Sequence, residues 1–455
     1  MRHDAEAAAV GGASGAADRR RFQILAVVWV SYLLVYLARL SVGPLSPFLK
    51  DAFDLSNAQV GALMSATAFT YAPTLILAGW LVDRVGVRRM LAAGTLIASL
   101  CVLTLFLAPS YGVVLGLLAL SGIGAGCIYP SAVRAVLLWF PVGERATAIG
   151  VNQTAINISG IFGAVTLPAI AVRLGWEYGF LAVGALGLAV FAVAILGYGD
   201  PPGDDGDAPA APAAATATAT VTATATATAD RTLPSSPVAP APAPAGLLTL
   251  LAARDVRLLA LVGFFLGVVE YSALAHLVLY LKSEFLLTAV AAGAVLALAE
   301  ASGAVGKPVS GLVSDRRLGG RRRLALLAMA ALALVACLAL AAFGADLGAA
   351  VYVVVALLGL SAIGWGGLFG TAAGEIGGRA AAGQVAGLTA AAVNVGVFVG
   401  PPGFGALVDL TGSYALAWLT LAVSCVAAIG CIWLLDEPRE LCPQPEVCAV
   451  PFDEL

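Results

Sequence analysis

Charge is what this sequence has least of. Asp, Glu, Lys and Arg make up 11% of its 455 residues against 60% for the hydrophobic types, whereas the surface of a soluble domain needs roughly a quarter charged residues. That shortage excludes a soluble enzyme of two or three domains and places most of the chain in lipid. No metal-ligand spacing links the seven cysteines and no nucleotide-binding motif is present, so neither metal nor cofactor is expected. A net charge of −3 gives no nucleic-acid footprint. The segment from Met1 to Arg21 lacks an apolar core with a cleavage site, so the first apolar run is expected to stay as a helix.

What is present is a series of apolar runs, each near the ~20 residues that span a bilayer core. The first six cover 22–43, 58–82, 90–108, 111–138, 146–173 and 178–199, and the second six 256–282, 287–313, 323–343, 348–373, 381–408 and 412–435. They predict an all-α membrane protein of twelve transmembrane helices in two six-helix bundles, residues 22–199 and 251–435, flanked by cytoplasmic tails at 1–21 and 436–455. Between the bundles, 200–250 is rich in Ala, Thr and Pro and has too few large side chains to build a core, which predicts a disordered cytoplasmic linker. Arginines gather on one side of the predicted spans, at 19–21, 84, 88, 89, 145, 254, 257, 316, 317 and 321–323, while the other side carries only Lys50, Arg173 and Lys282. By the positive-inside rule both termini are cytoplasmic. Cys101, Cys127, Cys337, Cys425 and Cys431 fall in apolar runs; Cys442 and Cys448, in the tail, are expected as unpaired thiols.

Equivalent loops of the two halves carry one motif. Gly79-Trp80-Leu81-Val82-Asp83-Arg84 leads into Gly86 and Arg88-Arg89 after the second span, and Gly311-Leu312-Val313-Ser314-Asp315-Arg316 leads into the arginines at 321–323 after the eighth. A glycine at a helix end permits close approach by a neighbour, and a carboxylate one turn later can face another helix's positive N-terminus. Gly79, Asp83, Arg84, Arg88, Gly311, Asp315 and Arg316 are therefore assigned to gating, with Lys307, just before Pro308, near the inner gate. The duplicated loop resembles the signature of the major facilitator superfamily. Within the first half, Tyr32, Tyr36 and Arg39, then Pro44, Phe53-Asp54-Leu55-Ser56 and Tyr71, then the glycine run 122–126 with Tyr129-Pro130 and Arg134, resemble the anion:cation symporters and the organophosphate antiporters. Gly400-Pro401-Pro402, Asp409 and Trp418 are generic superfamily features of the second half.

The resemblance implies proton-coupling carboxylates beside the helix-one arginine and in the helix-four glycine run. This chain has Ala38 and Ala125 there, which excludes coupling through those positions, and Leu118 stands where the superfamily's helix-four arginine would fall. Helix five lacks the Gly-Pro pattern of drug:proton antiporters.

A charge at mid-bilayer costs roughly 2.5 to 3.5 kcal/mol on insertion scales, so ionisable residues kept there face a cavity or a partner. Five qualify: Arg39, Arg134, Glu270, Glu300 and Lys307. Three cations against two carboxylates leave one positive charge that an anionic substrate group would balance. Arg39, on one helical face with Tyr32 and Tyr36, is the first choice for anion contact, because a guanidinium binds carboxylate or phosphate bidentately and stays charged; a side chain reaching to the headgroups is the alternative. Tyr71, Arg134, Asn157, Trp365 and Asn394 complete the expected substrate contacts, and Glu270 and Glu300 are the proton-coupling candidates. Glu300 and Lys307 share a face but lie about 10 Å apart along the axis, too far for easy direct pairing. His276 is read as a hydrogen-bonded packing residue.

The expected activity is alternating-access transport of a small organic anion, a carboxylate in the leading reading, coupled to protons. Exchange or uniport of phosphorylated or other small anions, drug efflux, and a non-transporting receptor on the same fold stay open. The expected partners are that substrate, protons and the lipid bilayer, with no nucleic acid; the expected state is a monomer in a bacterial-type inner membrane.

Overall fold

The computed structural model describes residues 2–141, 144–199, 250 and 252–436. The expected linker, except Leu250, and the C-terminal tail beyond Asp436, with Cys442 and Cys448, lie outside the described residues. No strand occurs among the described residues. The first bundle comprises α1 (Arg2–Leu40), α2 (Val42–Phe53), α3 (Asn57–Val85), α4 (Val87–Thr104), α5 (Tyr111–Trp139), α6 (Arg145–Leu174) and α7 (Trp176–Gly197). The second comprises α8 (Arg254–Glu284), α9 (Ala289–Arg316), α10 (Arg322–Phe343), α11 (Ala350–Leu358), α12 (Gly366–Thr411) and α13 (Tyr414–Trp433).

Eleven helices among the described residues are long and apolar enough to cross a membrane, and α3, bent by 54° between Leu75 and Leu77, is a twelfth if it is counted as one span. The structure departs from the sequence reading in several places, α12 among them, which runs unbroken across the expected gap between the tenth and eleventh spans. The segment 2–21, expected as a tail, is helical and continuous with the first span. That span then runs on through α2 to Phe53 rather than ending at 43, because Pro44 falls in the first turn of α2, where no intrahelical N–H donation is lost; Asp54, left-handed at φ 49°, ends it. The tenth span is interrupted by a π turn at Gly359–Ile363. Such turns widen a helix and recur at functional sites.

Small residues set the packing, as expected where lipid removes the hydrophobic drive between helices. Within the second bundle an added Cβ at Gly359 would lie 2.1 Å from Ala299 O, and at Gly306 2.3 Å from Leu360 O, so α9 meets the π turn backbone to backbone. Between the bundles, Gly61 of α3 would meet Pro401 O at 2.2 Å, Gly405 of α12 Asn57 O at 2.1 Å, and Gly293 of α9 Ala164 O at 2.3 Å. These approaches close one end of the molecule, the Asn57 end. The opposite, Asp83 end is held by contacts of another kind, described below.

Candidate functional site

Midway between the bundles, Arg39 is 5% exposed. Its guanidinium carbon lies 4.7 Å from the ring centre of Tyr71, 5.3 Å from Tyr271 and 5.7 Å from Tyr36. Tyr32 lies against Tyr36 with the rings tilted by 42° and their centres 4.9 Å apart, and reaches Tyr129 of α5 at 6.4 Å. The three rings supply cation–π attraction over the faces of the guanidinium. They leave its N–H edge free of carboxylates: Arg39 makes no ion pair or hydrogen bond among the described residues. Burial among rings excludes the alternative of a side chain reaching to the headgroups.

The second bundle faces this cation with acids. Glu270 of α8 accepts a hydrogen bond from Trp365 Nε1 at 3.1 Å. It borders a cavity of about 10 Å³, walled by Leu277, Leu296, Gly359 and Ile363, with room for about one water. Arg39 and Lys307 are both within electrostatic reach of Glu270. Glu300 of α9 is buried and lies against Gly160 of α6, where an added Cβ would come within 2.5 Å of its carboxyl carbon. Asn157, one turn earlier on α6, donates to Glu300 Oε2 at 3.4 Å and accepts from Lys307 Nζ at 2.9 Å. A single amide thus connects the two charges that stand two turns apart on α9, and it comes from the other bundle.

Other expected site residues are placed elsewhere. Arg134 forms an ion pair with Asp83 at 3.0 Å, so it leaves the central charge balance: Arg39 and Lys307 now stand against Glu270 and Glu300, with no positive excess. Asn394 donates to Ala390 O of its own helix at 3.0 Å. His276 bonds Pro401 O at 2.9 Å through Nε2 and stacks on Phe404.

The expected gating residues gather at the Asp83 end, except Lys307, expected near the inner gate, which instead joins the central network through Asn157. Arg84 lies 3.7 Å over the Trp80 ring, and Arg88 Nε donates to Ile195 O at 2.7 Å. In the second bundle Arg322 joins Asp315 to Glu375, 3.1 Å from the latter. Arg316 is exposed. Nothing lies within 4 Å of an added Cβ at Gly79 or Gly311, so in this conformation neither glycine is approached by a neighbour. Asp83 and Asp315 each pair with an arginine of their own bundle rather than with a helix N-terminus.

Sequence reasoning missed Tyr129 and Tyr271 as walls of the Arg39 chamber, and Glu375 as the partner of Arg322. Tyr271 follows Glu270 directly, and an aromatic beside a membrane-buried acid was the available signal. Nothing in the sequence pointed to Glu375.

Residues 28–401 match the Major Facilitator Superfamily. The chain belongs to that superfamily. It is an integral membrane protein of a transporter family, not an enzyme. Over 170 residues it is 30% identical to a probable sulfoacetate transporter of Cupriavidus necator, covering 37% of this chain and 40% of that protein. It is 30% identical over 172 residues to a D-galactonate transporter of Escherichia coli, with 37% and 40% covered, and 26% identical over 171 residues to a hexuronate transporter of Bacillus subtilis, with 38% and 40% covered. The matched stretch thus spans about 40% of the length of these curated relatives. In fold the superfamily member resembles a bacterial homologue of the human lysosomal transporter Spinster, solved inward-facing and occupied, with a TM-score of 0.72, 18% identity, and 91% of this chain and 96% of that one covered.

Proposed function

We propose that this superfamily member moves a small organic anion, a carboxylate in the leading reading, across the bilayer by alternating access with proton coupling. The observation that carries the proposal is Arg39: a buried, permanently charged fork whose faces are covered by aromatic rings and whose donors engage no carboxylate. Among the described residues Arg39 has no direct hydrogen-bonded partner, so a bound carboxylate that engages its donors gains charge-assisted bonds that the protein itself does not supply. Sulfoacetate, galactonate and hexuronate, named for the relatives above, are all small organic anions.

Charge balance supports the coupling. With Arg134 held by Asp83, two cations face two carboxylates at the centre. A bound monoanion would leave one excess negative charge, which a proton on Glu270 or Glu300 would cancel. The arginine-rich side, which includes the Asp83 end, is assigned to the cytoplasm of a bacterial-type inner membrane, and the Asn57 end to the outside. The closed Asn57 end then corresponds to a conformation shut toward the outside.

The test is counterflow and proton-driven uptake in proteoliposomes, with sulfoacetate, galactonate, hexuronates and phosphorylated sugars as probes, after a thermal-shift screen has selected binders. Uptake by the wild type and none by Arg39→Lys or Arg39→Gln, with folded protein present, supports the reading. Unchanged uptake kinetics in Arg39→Gln removes Arg39 from the site and sinks it. Ligand binding without any accumulation would instead identify a receptor.

A further inference from the structure

The Asn57 end is closed by an arrangement that the sequence reading expected at the other end of the molecule. The first N–H groups of any helix lack intrahelical partners and carry the positive pole of its dipole. At the start of α3, Ser56 caps one of them: Gln59 N donates to Ser56 Oγ at 3.2 Å while Gln59 Oε1 accepts from Ser56 N at 2.9 Å, and Val60 N bonds Ser56 O at 3.1 Å. That leaves Asn57 and Ala58. Both donate to one carboxylate of the other bundle: Asn57 N to Asp409 Oδ1 at 2.9 Å and Ala58 N to Asp409 Oδ2 at 2.8 Å.

The Asn57 side chain adds a third bond, Nδ2 to Asp409 Oδ1 at 2.8 Å, and its orientation is set by Lys50, whose Nζ donates to Asn57 Oδ1 at 2.6 Å. Gly405, one turn before Asp409, allows the approach, because any side chain there would strike Asn57 O. The N-terminus of α3 therefore completes its hydrogen bonding within the protein only while the two bundles are docked.

We propose that Asp409 is an interbundle latch: a carboxylate of the second bundle that caps a helix of the first and so holds the Asn57 end shut. When that end opens, water must replace the three bonds, which makes their loss a bias toward closure and not an absolute lock. Lys282, which pairs with Asp51 at 3.2 Å on the same rim, is a poorer latch: it offers one contact where Asp409, also exposed, accepts three bonds that include two helix N-terminal N–H groups. The latch rests on the reading that the bundles rock, but no substrate enters its test.

The test uses Ser65→Cys as reporter. Ser65 lies two turns deeper on α3, is 2% exposed, and donates to Val397 O of the second bundle at 3.0 Å, so its thiol replacement reacts with a maleimide only when this interface opens. In the purified full-length chain, adding Asp409→Ala should raise the labelling rate of Cys at that position about tenfold, as expected for loss of a helix cap. Asp409→Asn should raise it less, and Lys282→Ala by less than about twofold. The native Cys127 and Cys337, buried inside the first and second bundles, serve as internal controls and should stay unreactive. No increase with Asp409→Ala overturns the latch, as does an equal increase with Lys282→Ala. So does a parallel rise at Cys127 and Cys337, which would mean loosened bundles. A tenfold rise in a protein that moves no anion would leave the latch standing and sink only the transport reading.

Discussion

The two bundles bring opposite chemistry to the centre. The first supplies one cation, Arg39, and four phenols; the second supplies two carboxylates, a lysine and an indole, and crosses over through Tyr271. The first bundle returns the exchange through Asn157, which holds Glu300 and Lys307 together. Under the proposed function such a division would separate recognition from coupling: the groups suited to hold an anion are not those suited to carry a proton, and among the described residues Tyr271 and Asn157 are the side chains that reach across. Substitutions in the two bundles should therefore fail in different assays.

The sharpest break is Arg39→Gln, which should lower anion uptake about 100-fold or more in proteoliposomes, the equivalent of two lost charge-assisted bonds at ~1.5 kcal/mol each. Next, Glu270→Gln or Glu300→Gln should abolish proton-driven accumulation while sparing anion exchange. Wild-type uptake should rise as the side of entry is acidified, and the uncoupled variant should lose that dependence; retention of proton-driven accumulation in both variants would refute the coupling assignment. Gly160→Ala sharpens the comparison, because its Cβ would displace the Glu300 carboxyl, the mobile end of a side chain, rather than backbone. It should reproduce the uncoupling without unfolding the protein, which parallel uptake and thermal-unfolding measurements can check.

Asn157→Ala removes the amide shared by Glu300 and Lys307 and should slow transport about tenfold, for a loss of ~1 to 2 kcal/mol. In a double-mutant cycle with Lys307→Met the two losses should not add, since both break one network. The smallest effect is expected at Lys282→Ala, with uptake within about twofold of wild type and a stability change under ~1 kcal/mol, as for other exposed pairs.

The two ends differ as the two bundles do. At the Asp83 end the acids of the duplicated loops pair with arginines inside their own bundles, Asp83 with Arg134 and Asp315 with Arg322. At the Asn57 end the contact crosses between bundles, from Asp409 to the start of α3. The duplicated motif leads to the expectation that its own acids cap a foreign helix; in this conformation they do not, and an acid outside the motif makes such a contact. Sequence shows which acids lie near helix ends; which helix end stands opposite depends on the conformation adopted.

Legibility followed the same line. The apolar runs at 58–82, 111–138 and 256–282 correspond closely to α3, α5 and α8, since lipid enforces apolar length and leaves little freedom. The first span runs past the expected 43 to Phe53, since Pro44 is harmless in the first turn of α2. Arg39, Tyr32, Tyr36 and Tyr71 could be grouped from helical spacing and resemblance, and they do meet. Arg134 could not be assigned to Asp83, nor Asn157 to the Glu300–Lys307 pair, because those partners come from other helices.

Composition and the repeated loop alone determined that this chain is a helical membrane protein of two related halves, because the bilayer leaves few ways to satisfy a backbone and penalises each buried charge. Only the tertiary structure decided how those charges are partnered. Pairing depends on a few ångströms of approach between helices far apart in sequence, and here that approach is set by glycines such as Gly160 and Gly405, whose meaning appears only when the opposing helix is in place.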